Sequence, residues 1–195
     1  MKQVLFCPQT GPCYSLFLLT MLLLRMVDAH AGITKPPSMQ LGNEFSSKCG
    51  LGATAVIKKD NFISQEIWKK QASPQCKARR CQGLFLKDQD LTKVTNFPPG
   101  KDIPVTIKIV VPHVGKAQLF LIDMQGKKQD LFLMDLGDQF GKGKAFNSFQ
   151  DFQVKIPSEK SKDCVQPGKC AIAFRWTVIP LKETYDICSL ITIGK

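Results

Sequence analysis

The fold is decided by residues 103–122, which read IPVTIKIVVPHVGKAQLFLI. Residues 103–111 alternate between apolar and polar positions and are rich in β-branched side chains, and residues 116–122 form a second apolar run. The turn-forming sequence PHVG separates the two runs. Alternation with a period of two, bounded by Pro and Gly, is typical of β-strands. The stretch therefore predicts two consecutive strands joined by a short loop.

Outward from this pair, further strand-like segments are separated by turns rich in Gly and Pro. They occupy residues 131–134, 152–156, 171–178 and 187–193. Short strands at roughly ten-residue spacing predict an all-β fold, an immunoglobulin/fibronectin III-like antiparallel β-sandwich with long disulfide-stapled loops. Residues 61–70 offer one short helix. Residues 46–96 otherwise read as a long irregular connection.

The chain opens with a targeting segment. Residues 15–24 read SLFLLTMLLL, and this apolar run is too short to span a bilayer, which needs about 20 residues. Val27 and Ala29 then form a small-residue cleavage pattern. We predict a secretory signal peptide at residues 1–29 and a single secreted, extracellular domain at residues 30–195. A cut after Ala31 and an uncleaved anchor are the open alternatives. No lipid anchor is expected, because the C-terminal residues lack an apolar tail.

The cysteines agree with export. Cys7 and Cys13 would leave with the signal peptide, and the remaining six of the eight predict three disulfides. Spacing favours the local pairs Cys76–Cys81 and Cys164–Cys170, which leaves Cys49–Cys188. Fifteen different sets of pairs are formally possible for these cysteines, and the sequence leaves all of them open.

The formal net charge is +11. The leader carries Lys2, Arg25 and Asp28, so its removal lowers this charge by only one. A strongly basic exported protein is expected to meet a polyanionic partner, and an acidic polysaccharide is favoured over nucleic acid. A lysine-rich solubilising surface is the alternative, because the lysines are scattered along the chain.

Two histidines, His30 and His113, are the only ones in the chain. Cleavage after Ala29 would give His30 both a ring nitrogen and a free α-amino group, whose pKa of about 7.7–8.0 lets a metal displace its proton near neutral pH. His113 lies in the predicted loop PHVG and adds a third nitrogen. Planar nitrogen coordination favours Cu(II), whereas zinc prefers a closed tetrahedron. One copper ion is therefore the predicted cofactor.

Three stretches in this order resemble the lytic polysaccharide monooxygenases. The first is His30-Ala-Gly at the cleavage site, and the second is PHVG at residues 112–115. The third is CAIAFRW at residues 170–176, followed by the order Glu183, Tyr185, Cys188. The resemblance touches both ends of the mature chain but only in these stretches.

The resemblance implies a copper enzyme that cleaves polysaccharide glycosidic bonds oxidatively. Copper would be held by His30 and His113, with Tyr185 as a weak axial ligand or neighbour. Glu183 would lie beside the metal as a hydrogen-bonding or proton-transferring group, and both Glu183 and Tyr185 are catalytic candidates. The expected partners are a polysaccharide, acidic if the net charge is a guide, and an external electron donor. The protein is expected to act as a monomer.

Two other classes of protein remain open. One is a non-catalytic copper-binding or copper-acquisition protein that resembles the same family, in which Asp186 or Asp138 would join the two histidines. The other is a cysteine-stapled secreted binding protein without a metal. No GxSxG motif is present, so a serine hydrolase is disfavoured.

Overall fold

A computed structural model describes residues 29–77 and 80–194. The predicted signal peptide lies outside the described residues except for Ala29. This part of the chain is mostly β, with two sheets, three α-helices and five short 3₁₀ turns. The strands are β1 His30–Lys35, β2 Thr95–Phe97, β3 Asp102–Val111, β4 Gly115–Asp123, β5 Leu131–Phe140, β6 Ser148–Lys155, β7 Cys170–Val178 and β8 Glu183–Ile193.

The smaller sheet has the order β1-β3-β6 and the larger has the order β2-β8-β7-β4-β5. All pairs are antiparallel except β2 and β8, which run parallel. The prediction of a wholly antiparallel fold is therefore wrong at this edge. β2 follows the helical segment and is separated from β8 by five other strands, so no hairpin turn fixes an antiparallel direction for this pair.

One apolar core is shared by the two sheets. Ile33 and Ile107 of the smaller sheet and Leu119, Phe174 and Ile191 of the larger sheet are all fully buried in it. Two layers around a common core confirm the predicted two-sheet β architecture. β3 and β4 match the two predicted strands closely, whereas β1 was not predicted and β8 begins four residues earlier than expected.

Two of the three described α-helices lie largely within the predicted irregular connection, and the third lies between β6 and β7. The helices are α1 Asn43–Lys59, α2 Gln65–Lys69 and α3 Ser158–Ser161. Helix α2 falls within the predicted helix, but α1 was missed because Gly50, at φ 86°, interrupts its periodicity. The carboxylate of Asp88 accepts hydrogen bonds from the first backbone N–H groups of α1, those of Glu44 at 2.8 Å and Phe45 at 3.0 Å. This distant cap replaces a local one that the sequence lacks. Short 3₁₀ turns lie at Cys81–Gly83, Leu86–Asp88, Leu91–Lys93, Lys162–Cys164 and Ile179–Leu181.

Three disulfides connect these elements: Cys49–Cys76, Cys81–Cys188 and Cys164–Cys170. The predicted pair Cys164–Cys170 is confirmed. The predicted pairs Cys76–Cys81 and Cys49–Cys188 are wrong. Helix α1 brings Cys49 beside the segment that carries Cys76, where Ser73 donates its N–H to the carbonyl of Cys49 at 2.9 Å. Cys81 instead packs against β8.

Candidate functional site

His30 begins β1, and its backbone pairs with Val111 at the end of β3. Its Nδ1 atom lies 2.5 Å from Oδ2 of Asp60, the residue that ends helix α1. The imidazole is 15% exposed and the Asp60 side chain 30% exposed, so the contact lies near the surface but is largely shielded from solvent. Sequence reasoning missed Asp60, because only the fold of α1 carries this carboxylate to a histidine thirty positions earlier.

The position of Asp60 is set by contacts on both sides. Its Oδ1 accepts the N–H of Phe62 at 2.8 Å, and the Phe62 ring fills the space that a Cβ at Gly32 would need. Partial burial by itself would raise the pKa of Asp60. The His30 ring, the N–H of Phe62 and the charge of Lys108 outweigh it, so that the pKa lies below its usual value. The carboxylate is therefore held ionised next to His30.

Ala29, the residue before His30, is fully buried. Its N–H donates to Oε2 of Glu183 at 3.1 Å, and its carbonyl oxygen accepts a hydrogen bond from the Tyr185 hydroxyl. That hydroxyl also lies 2.7 Å from Oε2 of Glu183. The peptide bond between Ala29 and His30 thus lies directly against two of the predicted site residues.

Tyr185 and Glu183 are core residues of β8, with 1% and 5% of their surface exposed. The Tyr185 ring stacks on Trp176 of β7, with ring centroids 5.0 Å apart. Trp176 pairs with Tyr185 in the register of the larger sheet. Both polar groups therefore lie on β8 itself. The predicted strand of residues 187–193 had placed them in the loop before it.

His113 lies between β3 and β4, two residues beyond Val111, the register partner of His30. It is partly buried. A Cβ at Gly141 would come within 2.2 Å of its carbonyl oxygen, so the turn after β5 packs tightly on the backbone of His113. The structure therefore brings the two histidines to the same end of the smaller sheet through the pairing of β1 with β3.

The two aspartates suggested as extra ligands lie elsewhere in contacts of their own. Asp138 forms a surface ion pair with Lys116 at 3.7 Å. Asp186 is buried, accepts the N–H of Cys81 at 3.0 Å and lies 3.3 Å from Nε of Arg175. Burial raises the pKa of Asp186 more than Arg175 and the Cys81 N–H lower it. Among the aspartates of residues 29–77 and 80–194, Asp60, and not Asp138 or Asp186, forms the ion pair with a histidine.

Exposed apolar and basic side chains occur in the His113 loop and in the segment from the end of β5 to the first residues of β6. Phe146 is 66% exposed and Phe149 57% exposed, and Val114 is also exposed. Lys142 and Lys144 stand in the same exposed turn as Phe146. The N–H of Asn147 donates to the carbonyl of Val110 at 3.2 Å, which ties this turn to the end of β3. We call these five exposed residues the aromatic patch.

Within residues 29–77 and 80–194, no group of three or more His, Cys, Asp or Glu side chains is arranged to hold a metal ion. A metal site made of one backbone amine and two imidazoles would contain only two such side chains. Its amine would form only after cleavage of the chain before His30. In the same described part of the chain, no helix is long and apolar enough to cross a membrane. No protein-family model and no curated protein matches the sequence.

Proposed function

We propose that the domain that begins at His30 is a secreted copper protein whose metal is held by the His30 amine, the His30 imidazole and His113. The single observation that supports this most is the burial of the Ala29–His30 bond against Tyr185 and Glu183. Cleavage of that bond turns the His30 amide nitrogen into a primary amine at the same place. The amine then has an imidazole on its own residue and the end of β3 as its neighbour.

The donor types fit a cupric ion, provided that the Asp60 carboxylate moves away from Nδ1 of His30, because an amine and an imidazole of one residue can hold the same metal only through Nδ1. Three nitrogen donors suit Cu(II) better than other common divalent metals. Ala29 fills a fully buried position between the His30 nitrogen, the Tyr185 hydroxyl and Glu183, and its removal leaves space there. The ionised Asp60 beside the imidazole adds the negative charge that a bound cation favours.

The activity that we propose is oxidative cleavage of a polysaccharide. Copper supplies one-electron redox chemistry with oxygen or peroxide, with electrons from an external donor. Glu183 and the Tyr185 hydroxyl, 2.7 Å apart, form a pair that can hold and pass a proton beside the His30 amine. The Trp176 ring behind Tyr185 keeps water from that side of the pair.

The aromatic patch supports a polymeric substrate. Exposed rings give flat apolar area for sugar faces, and Lys142 and Lys144 add positive charge for carboxylated or sulfated sugars. The net charge of +11 points to the same kind of polymer. We further propose the immunoglobulin/fibronectin III-like form of the sandwich, and secretion, which the three disulfides support.

One observation favours a second function, a non-catalytic copper carrier. The carboxylate of Asp60 lies 2.5 Å from Nδ1 of His30. A carboxylate within reach of the metal would fill a coordination position that an oxidant needs, and an enzyme benefits from an open position. The same amine and imidazoles would then bind copper for transport.

The first experiment tests copper binding. Two proteins are prepared, one starting at His30 with a free amine and one with the His30 amine acetylated, together with His113→Ala in the free-amine form. Copper is titrated against a competing chelator, and Cu(II) is followed by electron paramagnetic resonance. We expect one tight copper per chain and a nitrogen-rich spectrum for the free-amine protein alone, because both other proteins lack one nitrogen donor. Equal affinity for all three proteins would contradict the proposal.

The second experiment separates the enzyme from the carrier. The copper-loaded His30 protein receives a reductant and peroxide with chitin, cellulose or pectin, and mass spectrometry looks for oxidised oligosaccharides. Asp60→Asn is the informative variant, with Asp138→Asn as its control because Asp138 contacts only Lys116 among the described residues. Oxidised products from the unmodified protein support the enzyme. Products absent in every case, with tight copper binding retained and weakened only by Asp60→Asn, support the carrier.

A further inference from the structure

A groove of about 410 Å³ lies at the end of the larger sheet where β4 finishes and β7 begins. β4 runs from Gly115, next to the His113 loop, to Asp123 at the groove. Nine strand residues span roughly 26 Å. The groove is therefore distant from the proposed copper site, and an inference about it does not depend on the proposed function. Its volume lies within the range of about 300–1,000 Å³ that is usual for ligand sites.

Both walls of the groove have fixed backbones. On one side, the carboxylate of Asp123 accepts N–H groups from Gln125, Lys127 and Lys128 at 2.9–3.0 Å, which holds the turn between β4 and β5. On the other side, the wall starts with α3, and the Cys164–Cys170 disulfide fixes the segment between α3 and β7. A site whose walls are already ordered loses little entropy when a ligand binds.

The rim of the groove is basic. Lysines at positions 127, 128, 160, 162 and 169 line it together with Asp123 and Asp163. Lys128 pairs with Asp163 at 2.5 Å, and the carboxylate of Asp123 is occupied by backbone donors. The other four lysines form no ion pair with any residue that the structure describes. The rim therefore presents unneutralised positive charge to a ligand.

The floor of the groove is aliphatic. Leu121 of β4, Leu131 of β5 and Val165 form it, and Val165 is 57% exposed. No aromatic ring stands among the described residues that line the groove. Sugar rings are commonly bound on aromatic faces, so an acidic glycan would find charge here but no stacking surface. An aliphatic chain would find apolar contacts along the floor and along the lysine stems.

We infer that this groove binds a single-chain anionic amphiphile, a long-chain carboxylate. Its tail lies on the floor formed by Leu121, Leu131 and Val165, and its head group lies on the lysine rim. The charge excess selects an anion and the aliphatic floor selects its tail. Neither feature alone would distinguish this ligand from a neutral lipid or from an acidic sugar.

Isothermal titration of the full chain tests this with octanoate and decanoate below their micelle-forming concentrations. Each methylene buried is worth about 0.8 kcal/mol, so two added methylenes should lower the Kd by about 15-fold at most. We expect 1-decanol to bind at least tenfold more weakly than decanoate. An acidic oligosaccharide should not displace decanoate.

Two variants with matched controls locate the site. Val165→Asp places a charge on the floor, and Leu51→Asp, at an 81% exposed position outside the groove, is its control. The double change Lys127→Gln and Lys162→Gln removes two rim charges, and Lys58→Gln with Lys59→Gln removes the same charge elsewhere. Decanoate affinity should fall at least tenfold in the two groove variants and change less than twofold in the controls. No dependence on chain length, equal binding of 1-decanol, displacement by the acidic oligosaccharide or equal effects in the controls would each overturn the inference.

Discussion

Gly115 controls how closely the His113 loop approaches the larger sheet. A Cβ at this position would lie 2.4 Å from the carbonyl oxygen of Thr177 and 2.6 Å from Nε1 of Trp176. Both neighbours belong to β7, and Trp176 stacks on Tyr185. A single hydrogen in place of a methyl group therefore lets the start of β4 pack beside the aromatic pair of the candidate site.

The change Gly115→Ala should destabilise the protein. Overpacking against a strand carbonyl and a buried ring typically costs about 1–3 kcal/mol, since neither neighbour can move freely. Chemical denaturation would measure the free energy of unfolding. Gly194→Ala is the matched control, because its Cβ would meet only Oδ1 of Asn96 at 3.7 Å. A loss in the control as large as that in Gly115→Ala would show that the close approach is not the cause.

Glu183 and Tyr185, two residues predicted from sequence, both form hydrogen bonds with Ala29. Ala29 joins Glu183 and Tyr185 to the His30 backbone through its amide and its carbonyl. Asp60 occupies the other side of the same histidine. The sequence pattern proposed the histidine, the acid and the tyrosine, but it contained no sign of Asp60, because an aspartate at the end of a helix is common and carries no spacing signature.

Among the secondary-structure elements, the turn between β4 and β5 shows most clearly how one carboxylate organises a segment. Asp123 accepts three backbone N–H groups. Burial by itself would raise its pKa, but these three donors and the charge of Lys128 outweigh that effect and place the pKa below its usual value. The folded state therefore prefers the ionised carboxylate.

The change Asp123→Ala should lower stability at neutral pH and matter less in acid. The residue is partly exposed, so water replaces part of what is lost and the cost is about 1 kcal/mol. Since the folded pKa lies below the unfolded value of 3.8, the contribution is complete above 3.8 and disappears as the pH falls through the folded pKa. Thermal unfolding between pH 2.5 and 7 measures the difference from the unmodified protein. Asp135→Ala, which removes only one accepted N–H, that of Gly137, serves as control. A difference that stayed constant over this range would contradict the prediction.

Across the whole molecule, one of the three described disulfides ties the helical segment to a β-sheet, and the other two close shorter loops. Cys81–Cys188 joins the segment before β2 to the centre of β8 across 107 positions, whereas Cys164–Cys170 closes a loop of six. The helices α1 and α2 have a small core of their own around Phe45 and Trp68, which makes them dependent on such links.

Replacing both cysteines of each pair with alanine should reveal this difference. The loop-entropy relation gives about 5 kcal/mol for Cys81–Cys188 and about 2 kcal/mol for Cys164–Cys170. Denaturant unfolding of the two double variants under oxidising conditions provides the measurement. Equal losses, or a larger loss for the short loop, would show that strain or residual structure in the unfolded chain dominates over loop length.

Local pattern was enough to predict the strands around residues 103–122, the two-sheet architecture and the short disulfide Cys164–Cys170. These features depend on neighbours close in sequence, where alternation and short spacing carry the information. The choice of the two histidines with Glu183 and Tyr185 as one site stays a prediction, which came from the scarcity of histidine in this chain and from a resemblance.

Long-range contacts had to come from the folded chain. The parallel pairing of β2 with β8, the links Cys49–Cys76 and Cys81–Cys188, and helix α1 with its cap from Asp88 all join residues whose proximity no local pattern encodes. The contact of Asp60 with His30 and the meeting of Lys127 with Lys162 at one groove have the same origin. Such contacts form only when burial of the shared core brings distant segments together, because the free energy that holds them belongs to the packed core and not to either segment alone.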